Sequence, residues 1–278
     1  MLIVEEKAYT NSFAKIYDDV MKNVPYDLWY NYLRDLLEYY NRSPNEVIDI
    51  ACGTGNMTFR FAENTNSKVS GVDISEDMLK IARKKARDKN IDVNFYQADL
   101  RAFSPDIKYD LAFSLFDSLN YILDYEELKL VFKNIYKLLY DDGIFIFDMN
   151  TIERLMDIKS GTILLNGDDY SCFWEDIIDK KNKIWKVKLK IYFDDNKVDY
   201  YEEVHKETSY PIDDIIRALK WAGFQEIDIF NAYTFEKGKD SDNRIYFIAA
   251  KDELKRNNTF LAKIAKKLKW KFIDTFIL

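Results

Sequence analysis

The chain is poor in the residues that metal sites and disulfide scaffolds are built from. It holds one histidine and two cysteines in 278 residues. Cys52 and Cys172 lie far apart, with no metal-ligand spacing and no disulfide framework. No apolar run approaches the roughly 18 residues that would span a bilayer. The opening Met1-Leu-Ile-Val-Glu-Glu has no basic segment followed by an apolar core, which argues against a secretory leader. Internal repeats and low-complexity stretches are missing as well. A reducing cytoplasm is the simplest compartment for such a chain. The body also lacks a net positive charge. The net charge is −7, yet residues 251–278 hold eight Lys/Arg and only three Asp/Glu, so residues 1–250 carry −12. An acidic body repels phosphate backbones and disfavours a nucleic-acid substrate.

What is present is a globular balance, with 47% hydrophobic and 32% charged residues. The 20 Tyr and 19 Phe suit a core or a pocket wall. Residues 9–41 read as two helices broken at Asn23-Val-Pro25. From Glu46 to Met149, strands and helices alternate. The strands are Glu46–Ile50, Lys68–Val72, Asp92–Gln97, Tyr109–Ser114 and Gly143–Met149. A helix is predicted at about 55–64 and another from Glu76 to Lys89, with Ser75 as N-cap. A third carries Leu128, Val131, Phe132, Ile135, Leu138 and Leu139 at helical spacing. This alternation predicts a mostly parallel sheet covered on both faces.

After Asn150 the pattern changes. Cys172–Ile178, Lys183–Phe193 and Val198–Thr208 read as strands of a small inserted antiparallel sheet, with a turn at Asp194-Asp-Asn-Lys197. Pro211 opens a helix ending near Gly223. Glu226–Tyr233 and Arg244–Lys251 close the main sheet as a hairpin. The predicted fold is therefore α/β: a Rossmann-like, seven-stranded, mostly parallel sheet with a terminal antiparallel hairpin, an inserted antiparallel sheet and N-terminal helices. Its parts are a helical cap at 1–41, a core at 42–150 and 209–251, an inserted lid at 151–208, and a basic segment at 252–278.

Three strand ends carry chemistry. The first is Asp49-Ile-Ala-Cys-Gly-Thr-Gly55. Gly53 and Gly55 permit a tight turn and close approach of a ligand at the carboxyl edge of the sheet. By itself such a turn is either a nucleotide site or an ordinary βα connection. Asp49 narrows it. A dinucleotide pyrophosphate would be repelled by a carboxylate there. A methionine moiety with ammonium and sulfonium charges would be attracted. Thr58 leaves the GxGxxG spacing incomplete, and no GxxxxGK[ST] loop exists. The second strand end brings Asp73, which can accept hydrogen bonds from ribose hydroxyls. The third brings Asp99, which can accept from an adenine amino group, with Ile74 and Leu100 sandwiching the ring.

Together these segments resemble the class I S-adenosylmethionine-dependent methyltransferases. The resemblance covers the chain to about residue 251. It is nearest to bacterial small-molecule enzymes with an inserted β-sheet, and more distantly to amino-sugar N-methyltransferases and the glycine N-methyltransferase group. Phe13-Ala-Lys-Ile-Tyr-Asp18, Val72-Asp-Ile-Ser75, Met78-Leu79, Ala98-Asp-Leu100, Phe116-Asp-Ser-Leu-Asn-Tyr121, Phe147-Asp-Met-Asn150, Trp174-Glu175 and Arg244-Ile-Tyr246 also carry it. Ala51 stands where a glycine is usual. The resemblance implies S-adenosylmethionine as cofactor and S-adenosylhomocysteine as product. It assigns to the cofactor Tyr17, Asp49, Ala51, Cys52, Gly53, Gly55, Asp73, Ile74, Met78, Ala98, Asp99, Leu100 and Leu115. No metal is implied.

Methyl transfer from a sulfonium is an in-line displacement, so the protein mainly orients the nucleophile and excludes water. The loop Leu115–Tyr121 should face the methyl. Its polar members are Asp117, Asn120 and Tyr121. Asn120, Tyr121 and His205 are the candidate catalytic groups. His205, in Glu203-Val-His-Lys-Glu207, is either a base over the pocket or a surface or satisfied histidine. Tyr9 and Trp29 are weaker cofactor-capping candidates, equally open to a core role. The expected acceptor is a nitrogen or oxygen of a small molecule. An RNA or protein methyltransferase, a nicotinamide oxidoreductase and a non-catalytic S-adenosylmethionine-binding protein are the competing readings. The loop at 114–121 has no Asn/Asp-Pro-Pro-aromatic motif for gripping a flipped base. Residues 252–278 have amphipathic spacing. They suit contact with an anionic membrane surface or acidic partner, or cover for the protein's own acidic body.

Overall fold

A computed structural model describes residues 2–5, 8–194 and 200–257, with side chains from residue 8 onward. The chain opens with a short strand, β1 (Leu2–Glu5), and two helices, α1 (Asn11–Val20) and α2 (Tyr26–Tyr39). The alternating core follows: β2 (Glu46–Ile50), α3 (Asn56–Asn64), β3 (Lys68–Asp73), α4 (Glu76–Lys89), β4 (Val93–Gln97), β5 (Tyr109–Ser114), α5 (Tyr125–Leu138) and β6 (Leu139–Asn150). A short helix, α6 (Ile152–Asp157), leads into β7 (Gly161–Asn166), β8 (Tyr170–Asp179), β9 (Ile184–Phe193) and β10 (Tyr200–Glu207). The chain then returns through α7 (Ile212–Ala222), β11 (Glu226–Asn231) and β12 (Arg244–Ala250).

The main sheet has seven strands in the order β11-β12-β6-β5-β2-β3-β4. β6, β5, β2, β3 and β4 are parallel, and β12 and β11 run antiparallel at one edge. Strand order reverses between β2 and β5. Ligands of open α/β sheets bind outside the carboxyl ends of the strands at such a point.

Alternation sorts the core. Along β6, Phe145, Phe147 and Met149 face α5 and α7, whereas Ile144 and Ile146 face α2 and α3. β12 does the same, with Ile245 and Phe247 on one side and Tyr246 and Ile248 on the other. A third cluster joins Phe13, Ile16 and Tyr17 of α1 to Val187, Leu189 and Ile191 of the inserted sheet.

The seven-stranded sheet and the inserted sheet agree with the sequence-based prediction, and three features do not. The second sheet has five strands, β1-β10-β9-β8-β7, instead of three. β7 went unpredicted because most of its residues are exposed on both faces, so it has no alternating pattern. β1 lies in the region read as purely helical and pairs in parallel with β10. The 198–208 strand is described only over Tyr200–Glu207, and the turn residues 195–199 lie outside the described residues, as do residues 258–278 of the basic segment. Among the described residues no helix is long and apolar enough to cross a membrane.

Candidate active site at the carboxyl edge of the sheet

The turn after β2 is left-handed at Ala51 (φ 57°), Gly53 (φ 56°) and Gly55 (φ 81°). A Cβ on Gly55 would stand 2.7 Å from the Phe59 ring, so glycine is required there. Ala51 adopts a conformation that costs an L-residue about 1 kcal/mol, which explains why glycine is usual at this position. Cys52 is buried, and its N–H donates to Val72 O at 3.0 Å.

Asp73 fastens this turn from the next strand. Its Oδ2 accepts from Gly53 N–H at 2.7 Å and its Oδ1 from Ser75 N–H at 2.8 Å. The Ser75 cap forms as predicted, with Oγ accepting from Met78 N–H at 3.2 Å. The same hydroxyl donates to the Tyr9 carbonyl at 2.5 Å. Met78 is buried beneath Gly53.

Asp49 is buried below the turn. Its Oδ2 accepts from the Thr58 hydroxyl at 2.5 Å. Burial pushes its carboxyl up to about 8, and Thr58 only partly opposes that. Thr58 thus serves the carboxylate at the position where a dinucleotide motif would carry its third glycine. At the end of β3, Ile74 is 61% exposed, an open apolar face beside Asp73. Ala98 N–H donates to Asp73 O at 3.0 Å and joins the two strand ends. Asp99 is held by Arg101 Nε at 2.9 and 3.0 Å. Those bonds keep its carboxyl below the usual carboxylate range. Leu100 packs half-buried and Leu115 is buried.

Helix α1 lies across this edge. Tyr17 is buried, its ring edge-on to Tyr9 and Phe13. Neighbouring Asp18 accepts from Thr54 Oγ1 at 2.7 Å, Asn56 Nδ2 at 3.0 Å and Lys85 Nζ at 2.9 Å. This clasps the helix to the glycine turn and to α4.

On the other side of the switch point, the loop after β5 is bent through Phe116 (φ 70°) and Asp117 (φ 49°). Asp117 Oδ1 accepts from Arg244 Nη1 and Nη2, both at 3.1 Å. Asp148 Oδ2 accepts from Arg244 Nη1 at 2.5 Å. The guanidinium lies 5.3 Å from the centre of the Trp29 ring, which is itself buried against Phe116. Trp29 is therefore a wall of this loop.

Asn120 is fully buried, and its amide serves the backbone. Nδ2 donates to Asn150 O at 3.1 Å and Thr208 O at 2.6 Å, and Oδ1 accepts from Asn150 N–H at 3.1 Å. Such a side chain braces the loop, β6 and the end of β10 against one another. Tyr121 faces inward. Its hydroxyl lies 2.7 Å from Tyr9 Oη and 3.2 Å from His205 Nδ1.

His205 is buried, at 3% exposure, so it is no surface histidine. Tyr9 and Phe13 pack edge-on to its ring at 4.7 and 5.3 Å. Its Nε2 lies 3.5 Å from Glu203 Oε2 but makes no well-directed hydrogen bond. Glu203 also accepts from Ser12 Oγ at 2.9 Å, Phe13 N–H at 3.2 Å and the Thr10 hydroxyl. Burial works to raise this carboxyl, and the nearness of His205 with the bonds from Thr10 and Ser12 outweighs it and holds the group below its usual range. Two residues beyond His205, Glu207 is buried with Oε2 unpartnered. Burial, and then the negative charge of Asp117, push its carboxyl well up.

This geometry has known counterparts. Residues 47–143 match the family model described as a methyltransferase domain. A protein of Geobacillus sp. (strain WCH70) that carries a methyltransferase name is 30% identical over 246 residues, spanning 86% of this chain and 98% of its own. The chain belongs to the class I S-adenosylmethionine-dependent methyltransferases. A solved S-adenosylmethionine-dependent methyltransferase from Clostridium acetobutylicum is 27% identical, covers 86% of this chain and 98% of its own, and superposes with a TM-score of 0.74. The dTDP-3-amino-3,6-dideoxy-alpha-D-glucopyranose N,N-dimethyltransferase of Streptomyces fradiae is 24% identical over 221 residues, 77% of this chain and 84% of its own.

The cofactor of this methyltransferase family suits the chain's own residues. Asp49 is a buried carboxyl with no cation facing it among the described residues, and the ammonium of S-adenosylmethionine is a counter-charge that would hold it ionised. Ile74 offers an exposed apolar face where a flat ring would be covered. An open groove of about 690 Å³ lined by Tyr30, Arg34, Arg42 and Phe61 lies at the opposite edge, and none of these groups reaches it.

Sequence reasoning gave no role to Asp18, Asp148 or Arg244 of this methyltransferase, although each falls in a segment that carries the resemblance. It missed Glu207 altogether. The signal was available: period-two alternation from His205 puts Glu203 and Glu207 on the same face.

Proposed function

We propose that this methyltransferase moves the methyl group of S-adenosylmethionine to a nitrogen of a small-molecule amine. The observation that carries the reading is Glu207: buried, unpartnered at Oε2, and beside Asp117 and Tyr121 on the acceptor side. Bound S-adenosylmethionine supplies a methyl group already activated for displacement. Asp49, Ala51, Cys52, Gly53, Gly55 and Met78 would form the cradle for its amino-acid end. Asp73, Ile74, Ala98, Asp99 and Leu100 would hold the nucleoside. Tyr17 and Leu115 would close over it.

An amine arrives as an ammonium ion, which cannot attack until it loses a proton. The carboxyls of Asp117, Asp148 and Glu207 outnumber the single guanidinium of Arg244, so an arriving cation is attracted and draws the buried Glu207 carboxyl into its ionised form. A carboxylate raised by burial is a stronger base, better matched to an ammonium proton. Glu207 therefore takes the proton, while Tyr9 and Tyr121, backed by His205, orient the free lone pair. A hydroxyl acceptor would gain little from the same negative wall. The relative from Streptomyces fradiae, whose name gives an amino-sugar substrate, supports a nitrogen acceptor.

The test is a labelled-methyl screen over small amines, followed by Glu207→Gln on the amine found. Turnover should fall about 100-fold, the size of a general-base contribution, with affinity for S-adenosylhomocysteine unchanged. The deficit should shrink as rising pH delivers the amine as free base. Undiminished turnover by the variant would sink the assignment.

A further inference from the structure

The inner face of the inserted sheet carries a second recognition element beyond Glu207. Three side chains form it: Trp174 and Asp176 on β8 and Trp185 on β9. Trp185 Nε1 donates to Asp176 Oδ1 at 2.9 Å, and Trp174 Nε1 donates to the same oxygen at 3.1 Å. All three residues are half-buried.

Two indoles on one oxygen fix the carboxylate's rotamer and leave Oδ2 with no hydrogen bond among the described residues. No lysine, arginine or histidine pairs with Asp176 among them. A partly desolvated carboxylate is costly without a counter-charge. Both indoles meet the carboxylate through their N–H edges, and a cation drawn to Oδ2 would lie beside aromatic surface, which favours an ammonium ion.

The register ties this element to the site. Trp185 stands directly across from Glu207, and Ile178 of β8 completes that row. Asp176 shares its row with Val187 and His205. Both rows face inward, as the burial of Val187, His205 and Glu207 shows. Asp176 and His205 are thus two strand spacings apart, roughly 10 Å between backbones. Glu207 stands in the next row, so its backbone lies on a diagonal roughly 12 Å from that of Asp176, within the reach of a short aliphatic chain once the two side chains are counted. Glu207, nine-tenths buried with Oε2 unpartnered, marks one end and Asp176 the other.

We infer that the acceptor carries two cationic nitrogens: one at Glu207, where it is methylated, and one held by Asp176 between Trp174 and Trp185. This rests on the amine reading above. The acceptor class is then a short aliphatic diamine or an amine with a second ammonium several bonds away. Asp176 acts as a specificity residue and takes no part in the displacement.

The experiment uses the full chain saturated with S-adenosylhomocysteine. Calorimetry compares diaminobutane through diaminooctane with monoamines of equal chain length, and labelled transfer is measured in parallel. Wild type should bind the best diamine at least ten-fold tighter than its monoamine. Asp176→Asn should abolish that preference while S-adenosylhomocysteine affinity stays the same. Trp185→Phe, which keeps a ring but loses the donor, should reduce it part-way. Equal affinities in wild type, or a preference that survives Asp176→Asn, overturns the second-cation site, and methylated monoamines would leave the amine reading standing. If no amine of either series binds or is methylated, both fall together.

Discussion

The two halves of the active-site edge are built at different ranges. On the cofactor side, Thr58 reaches Asp49 across nine positions and Gly53 reaches Asp73 across 20. On the acceptor side, Asn120 reaches Thr208 across 88, Tyr9 reaches Tyr121 across 112, and Arg244 reaches Asp117 across 127. The first half is one strand–turn–helix unit plus its neighbour. The second is assembled from a loop, two strand ends, the inserted sheet and the N-terminal segment. Donor chemistry is therefore held by a local motif, and acceptor chemistry by tertiary packing.

Asp49 is where the two halves separate most directly. Asp49→Asn keeps the shape and removes the charge. It should weaken S-adenosylhomocysteine binding at least 100-fold by calorimetry, about 3 kcal/mol, because the ligand's ammonium would lose its buried partner. The fold should survive, since the Thr58 hydroxyl keeps an acceptor. Asn120→Ala tests the other half and should show the opposite signature. It removes three hydrogen bonds to buried backbone groups, so thermal unfolding should reveal a loss of about 3 kcal/mol. Cofactor affinity of the folded fraction should be nearly unchanged. Near-wild-type stability would mean that the acceptor wall does not depend on this brace.

A further effect follows from pH. The Asp49 carboxyl titrates at about 8 in the folded protein, against about 3.9 when unfolded. Between those values the folded state holds a proton that the unfolded state has released. The free protein therefore loses stability from this group as pH rises through that window, by about 1.4 kcal/mol per pH unit. Melting without ligand should show the decline, and Asp49→Asn should remove its share. Near pH 7, ligand binding should expel close to one proton, read from calorimetry in buffers of different ionisation enthalpy. The smallest effect belongs to Ala51→Gly. Glycine relieves the left-handed conformation, and the variant should gain up to about 1 kcal/mol, partly offset by unfolded-state entropy. A loss would show that the Ala51 methyl packs more than it strains.

Legibility followed the same division. Core strand positions, the Ser75 cap and the acids at the ends of β2 and β3 could be read because each depends on residues close in sequence. Asp99 stood out as well, but its Arg101 partner, only two positions away, did not. The bracing bonds of Asn120 were not legible because its three partners come from β6 and the end of β10, which no local pattern brings together. His205 looked isolated in sequence, and only tertiary packing delivers Tyr121 and Tyr9 to it. β1 and β7 gave no signal, since one is four residues long and the other has no buried face.

The pairing of β1 with β10 sets an order of assembly during synthesis. Leu2 aligns with Tyr200, so the first strand leaves the ribosome long before its partner exists. At about 5–20 residues per second, that wait is on the order of ten seconds or more. The glycine turn, Asp49 and Asp73 can fold in the meantime. The acceptor half therefore closes only when the inserted sheet returns to collect the N-terminus.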